Sequence, residues 1–222
     1  FLDVGLRTAI KKRKIFPFFV AIYMGIIMAL VINTFQISGN DVMNEKNARM
    51  VEQIMMNVSS GKHFYSKVIG ALIFSIAQLI LGLFYMFIAF AITTKGTELS
   101  SIPEAISTYS LLAPIMVVII FTFIATIMAG LIGTTLAGLS NSYEEYSQIS
   151  APFMFTISIF LYLGIFLAQS AKFTLTYRIL SYLPVISLFT APGAFIFGNL
   201  NSLGITISIL SNVLFIELFS LL

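Results

Sequence analysis

The chain is 222 residues long, 59% hydrophobic and 14% aromatic, with only 9% charged residues and a mean hydropathy of +1.01. A soluble domain has roughly 45–50% apolar and about 25% charged residues, so this composition excludes a soluble globular domain and defines an integral membrane protein. The net charge of +3 is small and dispersed, which argues against nucleic acid as a partner, and the lack of cysteine removes disulfides, thiolate metal sites and cysteine nucleophiles.

The chain opens on Phe1 rather than Met, and the basic run Lys11-Lys12-Arg13-Lys14 precedes an apolar stretch too long for the core of a signal peptide. At the other end Leu222 lies inside an apolar run. The expectation is a chain truncated at its N-terminal end, with truncation at both ends as the alternative. A span needs roughly 20 apolar residues. Ile15–Gly39 is the first stretch to qualify, followed by Phe64–Thr94, with Lys67 near its start, then Leu111–Leu139, Ala151–Ala171 and Ile205–Leu222. All five are expected to be helices, because an isolated segment in lipid must satisfy its own backbone hydrogen bonds. Lys67 has a side chain long enough to reach the interface.

Residues 172–204 differ. The run KFTLTYRILSYLPVISLFTAPGAFIFGNL is moderately apolar but broken by Pro184, Pro192, Gly193 and Gly198. Two prolines in that length oppose one clean span. The expectation is a pair of short helices re-entering the membrane edge and packed on protein; a sixth, kinked span is the alternative.

The connection at residues 40–63 concentrates the scarce charge. Asp41, Glu45, Lys46, Arg49, Glu52, Lys62 and Lys67 all fall within 41–67. Projected as a helix over Asp41–Val58, Glu45, Arg49 and Glu52 share one face, at i, i+4 and i+7. Glu45 before Arg49 is the favourable order for an ion pair. Met43, Met50, Ile54 and Val58 form an opposing stripe that Asn47 interrupts. Such an amphipathic helix lies at the membrane surface. It reads either as a solvated interfacial helix, with pairs contributing about 0.2–0.5 kcal/mol each, or as a docking helix for a partner.

Charge does not orient the chain simply. Segments 1–14, 95–110 and 172–204 share one side and carry Arg7, Lys11, Lys12, Arg13, Lys14, Lys95, Lys172 and Arg178. The opposite side holds Lys46, Arg49 and Lys62, with Lys67 at its edge. A plain positive-inside count puts residues 1–14 in the cytoplasm and the charged connection outside, but the rule loses force beside a long translocated domain.

Glu45-Lys46-x-x-Arg49-x-x-Glu52, then Ser59-Ser60 and Lys67-x-x-Gly70, resembles the signature of ABC-2-type transporter permeases, and most of all their sodium-export and antibiotic-resistance branch. Ser140–Gln148 followed by Ala151-Pro152 resembles the short loop before that family's penultimate span, and Tyr182–Pro192 its proline-bearing external re-entrant segment. The resemblance covers nearly the whole chain. It implies an all-α polytopic membrane protein of six spans with a large external domain between the first two. This sequence would then lack the first span and that domain, residues 1–14 being the tail of the external region, and would hold about five spans, the re-entrant segment at 172–204, and an amphipathic cytoplasmic coupling helix within 40–63. It further implies that Glu45, Lys46, Arg49 and Glu52, with Lys67 at the membrane edge, couple to a separate ABC ATPase subunit. ATP and Mg would be bound there and no cofactor here. Two permeases would pair as a homodimer or heterodimer in a bacterial cell membrane. Glu144 and Glu145 would lie in the second cytoplasmic loop.

The remaining signals weigh less. No G-x-x-x-x-G-K-[ST] run is present, so ATP binding through a P-loop belongs to a partner. His63 is the only histidine and has no Cys or acidic cluster beside it in sequence, which favours interface polarity over metal binding. No arrangement for intramembrane proteolysis is visible. Glu217 is the one acid well inside a span. It is either a candidate substrate or cation contact, or a surface residue where the last span ends. Ala129-x-x-x-Gly133-x-x-x-Ala137 and Gly130-x-x-x-Thr134-x-x-x-Gly138 give the third span a small-residue face, suited to close packing within the molecule and, more sharply, to a dimer contact or a translocation lining. The functional expectation is the membrane subunit of an ATP-driven exporter working by alternating access. A non-transporting scaffold or sensor that docks a cytoplasmic partner is the alternative. An ATP-independent carrier is disfavoured by the scarcity of polar residues at mid-span.

Overall fold

The structure is a computed structural model that describes residues 2–48, 50, 56–93, 112–169, 174–196 and 198–220. Within them lie seven helices: α1 (Leu2–Asn47), α2 (Ser60–Thr93), α3 (Leu112–Leu139), α4 (Tyr143–Gln169), α5 (Thr174–Leu180), α6 (Ile186–Ile196) and α7 (Ser202–Ser220). Five contain stretches long and apolar enough to cross a membrane: Tyr23–Asn47, Ser60–Leu81, Ile115–Leu139, Tyr143–Leu167 and Ser202–Ser220. The protein is therefore an all-α, multi-pass membrane protein.

Several boundaries move. Helix α1 does not stop at Gly39 but continues to Asn47 and ends in a turn at Ala48. The first part of the expected amphipathic helix is thus an extension of the first span. A break falls at Val58–Ser59, and α2 begins at Ser60 rather than at the expected Phe64. Helix α4 starts at Tyr143, eight residues before the expected Ala151, so residues 143–150 are helix and not loop. The physical reason is a cap. The Glu145 N–H donates to Ser142 Oγ at 3.2 Å, and the Glu145 carboxylate accepts the Asn141 N–H at 2.7 Å. Ser142 is thus the N-cap of a Ser-x-x-Glu start, a variant of the capping box in which the Glu side chain reaches the N–H one residue before the cap, and Glu144 and Glu145 lie where the helix dipole favours negative charge.

The proline-broken segment divides as expected into two short helices, α5 and α6, and the break lies at Ser181–Val185. Pro192 sits inside α6. A proline at 192 removes the N–H that would bond the carbonyl of Leu188. Tyr23 of α1 replaces it, its hydroxyl donating to Leu188 O at 2.8 Å. Two residues past the end of α6, Gly198 adopts φ 73°. The Gly198 N–H bonds Phe195 O at 3.0 Å and the Asn199 N–H bonds Ala194 O at 2.8 Å, the paired bonds of a Schellman stop.

In lipid, helices gain little hydrophobic energy by associating, so close backbone approach and interhelical hydrogen bonds hold the bundle. The largest interface is between α1 and α3. Ala129, Gly133 and Ala137 are buried there, and a Cβ at Gly133 would stand 2.5 Å from Phe35 O. The small-residue face therefore packs within the molecule. Across α1 and α2, Thr34 and Ser75 share a hydrogen bond of 2.5 Å. Phe35 stacks on Phe153 of α4 with ring centroids 4.7 Å apart. The outward sides of α2 and α4 expose Ile69, Ile73, Phe74, Ile80, Phe155, Tyr162 and Phe166, as lipid-facing surfaces require.

Candidate functional site

Where α1 ends and α2 begins, two helical i, i+4 pairs face one another. Asp41 and Glu45 lie on α1; His63 and Lys67 lie on α2. Lys67 Nζ donates to Asp41 Oδ2 at 2.8 Å and also bonds Glu45 Oε1. His63 Nε2 stands 2.9 Å from Glu45 Oε2, a buried atom on which no donor, His63 included, is aligned for a hydrogen bond. The side chains of Glu45, His63 and Lys67 are each only 15% exposed, whereas Asp41 is 54% exposed. Spacing explains the geometry: i and i+4 side chains share a helix face, so antiparallel neighbours present two acids to one lysine and one histidine. The shielded Glu45 contacts are worth more than the exposed Asp41 one.

The next residue, Lys46, points elsewhere. Its Nζ donates to Ala137 O at 2.9 Å, Gly138 O at 2.5 Å and Ser140 O at 2.9 Å. These carbonyls close the end of α3, whose last turn has no partners of its own. An ammonium there also complements the negative end of the helix dipole. Glu45 and Lys46, adjacent in sequence, thus tie α1 to α2 and α1 to α3. Beneath them Tyr146 of α4 lies against Gly39, where a Cβ would fall on the phenol ring. Four helix ends meet in this one region.

Of the residues expected to form a coupling site, Glu45, Lys46 and Lys67 are brought together here and spend their polar groups inside the protein. Arg49 and Glu52 lie outside the described residues, so the expected Glu45–Arg49–Glu52 face does too; Lys95 and Lys172 of the charge count are likewise outside. The apolar stripe is divided. Met43 is fully buried, while Met50 and Val58 are exposed. Glu217 does not join this site: it is exposed, three residues before the end of α7. Glu144 is also exposed. Sequence reasoning missed His63 as a partner of Glu45 and Lys46 as a helix cap. The usable signals were the matched i, i+4 spacing of Asp41/Glu45 and His63/Lys67, and Ser142-x-x-Glu145. Among the described residues no group of three or more His, Asp or Glu could hold a metal ion.

A family model described as "ABC-2 family transporter protein" matches residues 7–222. No curated protein and no solved structure matches the chain.

Proposed function

The chain belongs to the ABC-2 transporter family, and from that premise we propose that it is the membrane subunit of an ATP-driven exporter whose hydrolysis takes place in a separate ATPase subunit. Membership and the multi-span helical architecture make it a permease-type transport protein of the cell membrane, which favours transport over the scaffold or sensor reading. The observation that supports ATP coupling is the junction just described. The helix ends on either side of the 48–59 connection carry the Glu45–Lys67 contacts and the Lys46 cap. A push on that connection reaches α1, α2 and α3 at once.

In this reading residues 48–59 face the cytoplasm, and Arg49 and Glu52 meet the ATPase. Glu45, Lys46 and Lys67 pass the movement inward, and residues 1–14 form the tail of an external region. Two permeases pair with two ATPases, and ATP and Mg are held by the latter. The motif run supports the sodium-export and antibiotic-resistance branch. Glu217 is read as a carboxylate at the cytoplasmic boundary, where hydration offsets the cost of its charge, and not as a cation ligand at mid-span.

Purification of the tagged chain from its native membrane tests the proposal. A stoichiometric P-loop ATPase is expected, and Arg49→Glu should weaken its retention. If no ATPase accompanies the protein, or if Arg49→Glu together with Glu45→Lys leaves association and transport intact, the coupling assignment fails. The chain is free of cysteine, so Met50→Cys, at an exposed position, reports sidedness directly: labelling only from the outside of intact cells would overturn the cytoplasmic placement.

A further inference from the structure

The outward face of α1 is polar, whereas the outward faces of α2 and α4 are apolar. Five carboxamides, Asn33, Gln36, Asn40, Asn44 and Asn47, recur at intervals of three or four residues, so they share one face of the helix. Gln36, Asn44 and Asn47 are exposed, and Asn33 and Asn40 are half-buried. The neighbouring helices pack elsewhere on α1: Thr34 meets α2, and Phe35 meets α4 with its ring and α3 with its carbonyl. Among the described residues, no hydrogen bond reaches any of the five side-chain amides.

Depth makes this costly. At 1.5 Å per residue, Asn40 lies about 9 Å, Gln36 about 15 Å and Asn33 about 20 Å along α1 from Lys46 at the charged junction. The hydrocarbon core is about 30 Å thick. Water at the boundary can serve Asn44 and Asn47. Lipid gives Asn33, Gln36 and Asn40 no partner, and an unpaired amide is disfavoured in hydrocarbon. Whatever covers this face has to offer both donors and acceptors, with no need of charge, because the stripe carries none.

The spacing points to a particular occupant. Asn33 and Asn40 are seven residues apart, with Ile26 one repeat before them and Ala29 and Gln36 at the intervening positions. This is an a/d repeat with asparagine at successive a positions, and an asparagine there fixes the register of a parallel helix pair. The next d position, Met43, is buried in the chain's own core, so the seam runs over residues 26–40. A second copy of the chain has the same orientation in the membrane, so the two-fold axis relating two copies runs along the membrane normal. The two α1 helices are then parallel, and each residue near the axis faces its own twin, as an isologous interface requires. A carboxamide is both donor and acceptor, so it complements itself. Gly25 and Ala29, both exposed, let the two backbones approach.

We propose that this face of α1 is the surface through which two copies of the chain pair, Asn33 and Asn40 each hydrogen-bonding its own counterpart across the two-fold axis. The proposal rests on the reading above that two permeases pair, and it assigns the face.

The chain is free of cysteine, so single-cysteine variants of the full protein in its native membrane test this by copper-phenanthroline oxidation. Asn33→Cys and Asn40→Cys should give disulfide-linked dimers. Ile73→Cys on α2 and Phe155→Cys on α4, at exposed positions, should not. Dimers at 155 with none at 33 or 40 would overturn the assignment and move the interface to α4. Labelling of 33 and 40 by a membrane-impermeant maleimide without cross-linking would overturn it as well, since the stripe would then face water. Protection from both reagents would overturn it by showing that another segment or another protein covers the stripe. Asn33→Leu combined with Asn40→Leu, both on the outward face, should weaken self-association in detergent about tenfold. Unchanged self-association of that double variant would overturn the carboxamide pairing. Neither measurement needs an ATPase. Failure to find an ATPase therefore strikes the coupling reading alone, and failure to cross-link at 33 and 40 strikes this face alone.

Discussion

Replacing Gly133 by alanine should open the α1–α3 seam. The added Cβ would stand 2.5 Å from Phe35 O and 2.5 Å from Ser38 Oγ, about 0.9 Å inside the 3.4 Å at which ordinary contact begins. Ser38 can rotate, but Phe35 O belongs to the α1 backbone and can yield only if the helix moves. Overpacking of this kind costs about 1–3 kcal/mol, and alanine's better helix propensity returns roughly 0.8–1 kcal/mol of it. Two neighbouring glycines calibrate the effect. At Gly130 a Cβ meets Val68 Cγ1 at 3.2 Å and Thr34 Cγ2 at 3.5 Å, both on side chains, and at Gly138 it meets nothing within 4 Å. Thermal unfolding of the purified protein in one detergent should rank Gly138→Ala at or above the parent, Gly130→Ala slightly below it and Gly133→Ala lowest. The net cost of up to about 2 kcal/mol, at about 2–4 °C per kcal/mol for a chain of this size, sets a Gly133→Ala drop of up to about 8 °C. Adding Ser38→Ala should recover only part, since the backbone contact remains. Equal melting of Gly133→Ala and Gly138→Ala would refute the close seam, and complete rescue by Ser38→Ala would refute the backbone as its wall.

Other consequences are open to the same melting assay. Lys67→Met leaves Asp41 and Glu45 facing each other without their shared cation and should destabilise by about 1–3 kcal/mol; a cycle with Glu45→Gln should show coupling above roughly 0.5 kcal/mol, and additive effects would contradict the pairing. Lys46→Met should cost about 1–2 kcal/mol by uncapping α3 while ATPase retention persists; loss of retention without loss of stability would mean that Lys46 acts outside the protein. Tyr23→Phe should cost about 1–3 kcal/mol because Leu188 O is left unpaired, and far less in a Pro192→Ala background, where the restored N–H supplies the missing donor. An undiminished cost in that background would show that the hydroxyl serves something other than the proline gap.

The Glu45–Arg49–Glu52 projection shows where sequence reasoning stopped short. Periodicity along one helix identifies which residues share a face, but not which other helix meets that face. Glu45 had a partner of the right spacing in sequence, Arg49, and two partners across the bundle, His63 and Lys67. Only the second set depends on α1 and α2 lying antiparallel in register. The late start assigned to α4 was a different kind of miss. Ser142-x-x-Glu145 was present in the sequence, and hydropathy alone passed over it because a polar first turn looks like loop.

The number of spans, their approximate places and the two-part character of residues 172–204 were determined by sequence alone. Lipid offers no hydrogen bonds to the backbone, so apolar length dictates helix, and Pro184 and Gly198 mark breaks whatever surrounds them. Tertiary structure decided how the few polar groups are spent. Lys46 closes another helix, Tyr23 repairs the gap left by Pro192, and Asn212 accepts the Val185 N–H 27 residues away in the chain. Each of these answers an open backbone group on another part of the chain, and a group of that kind is met by whichever side chain the packing brings within reach.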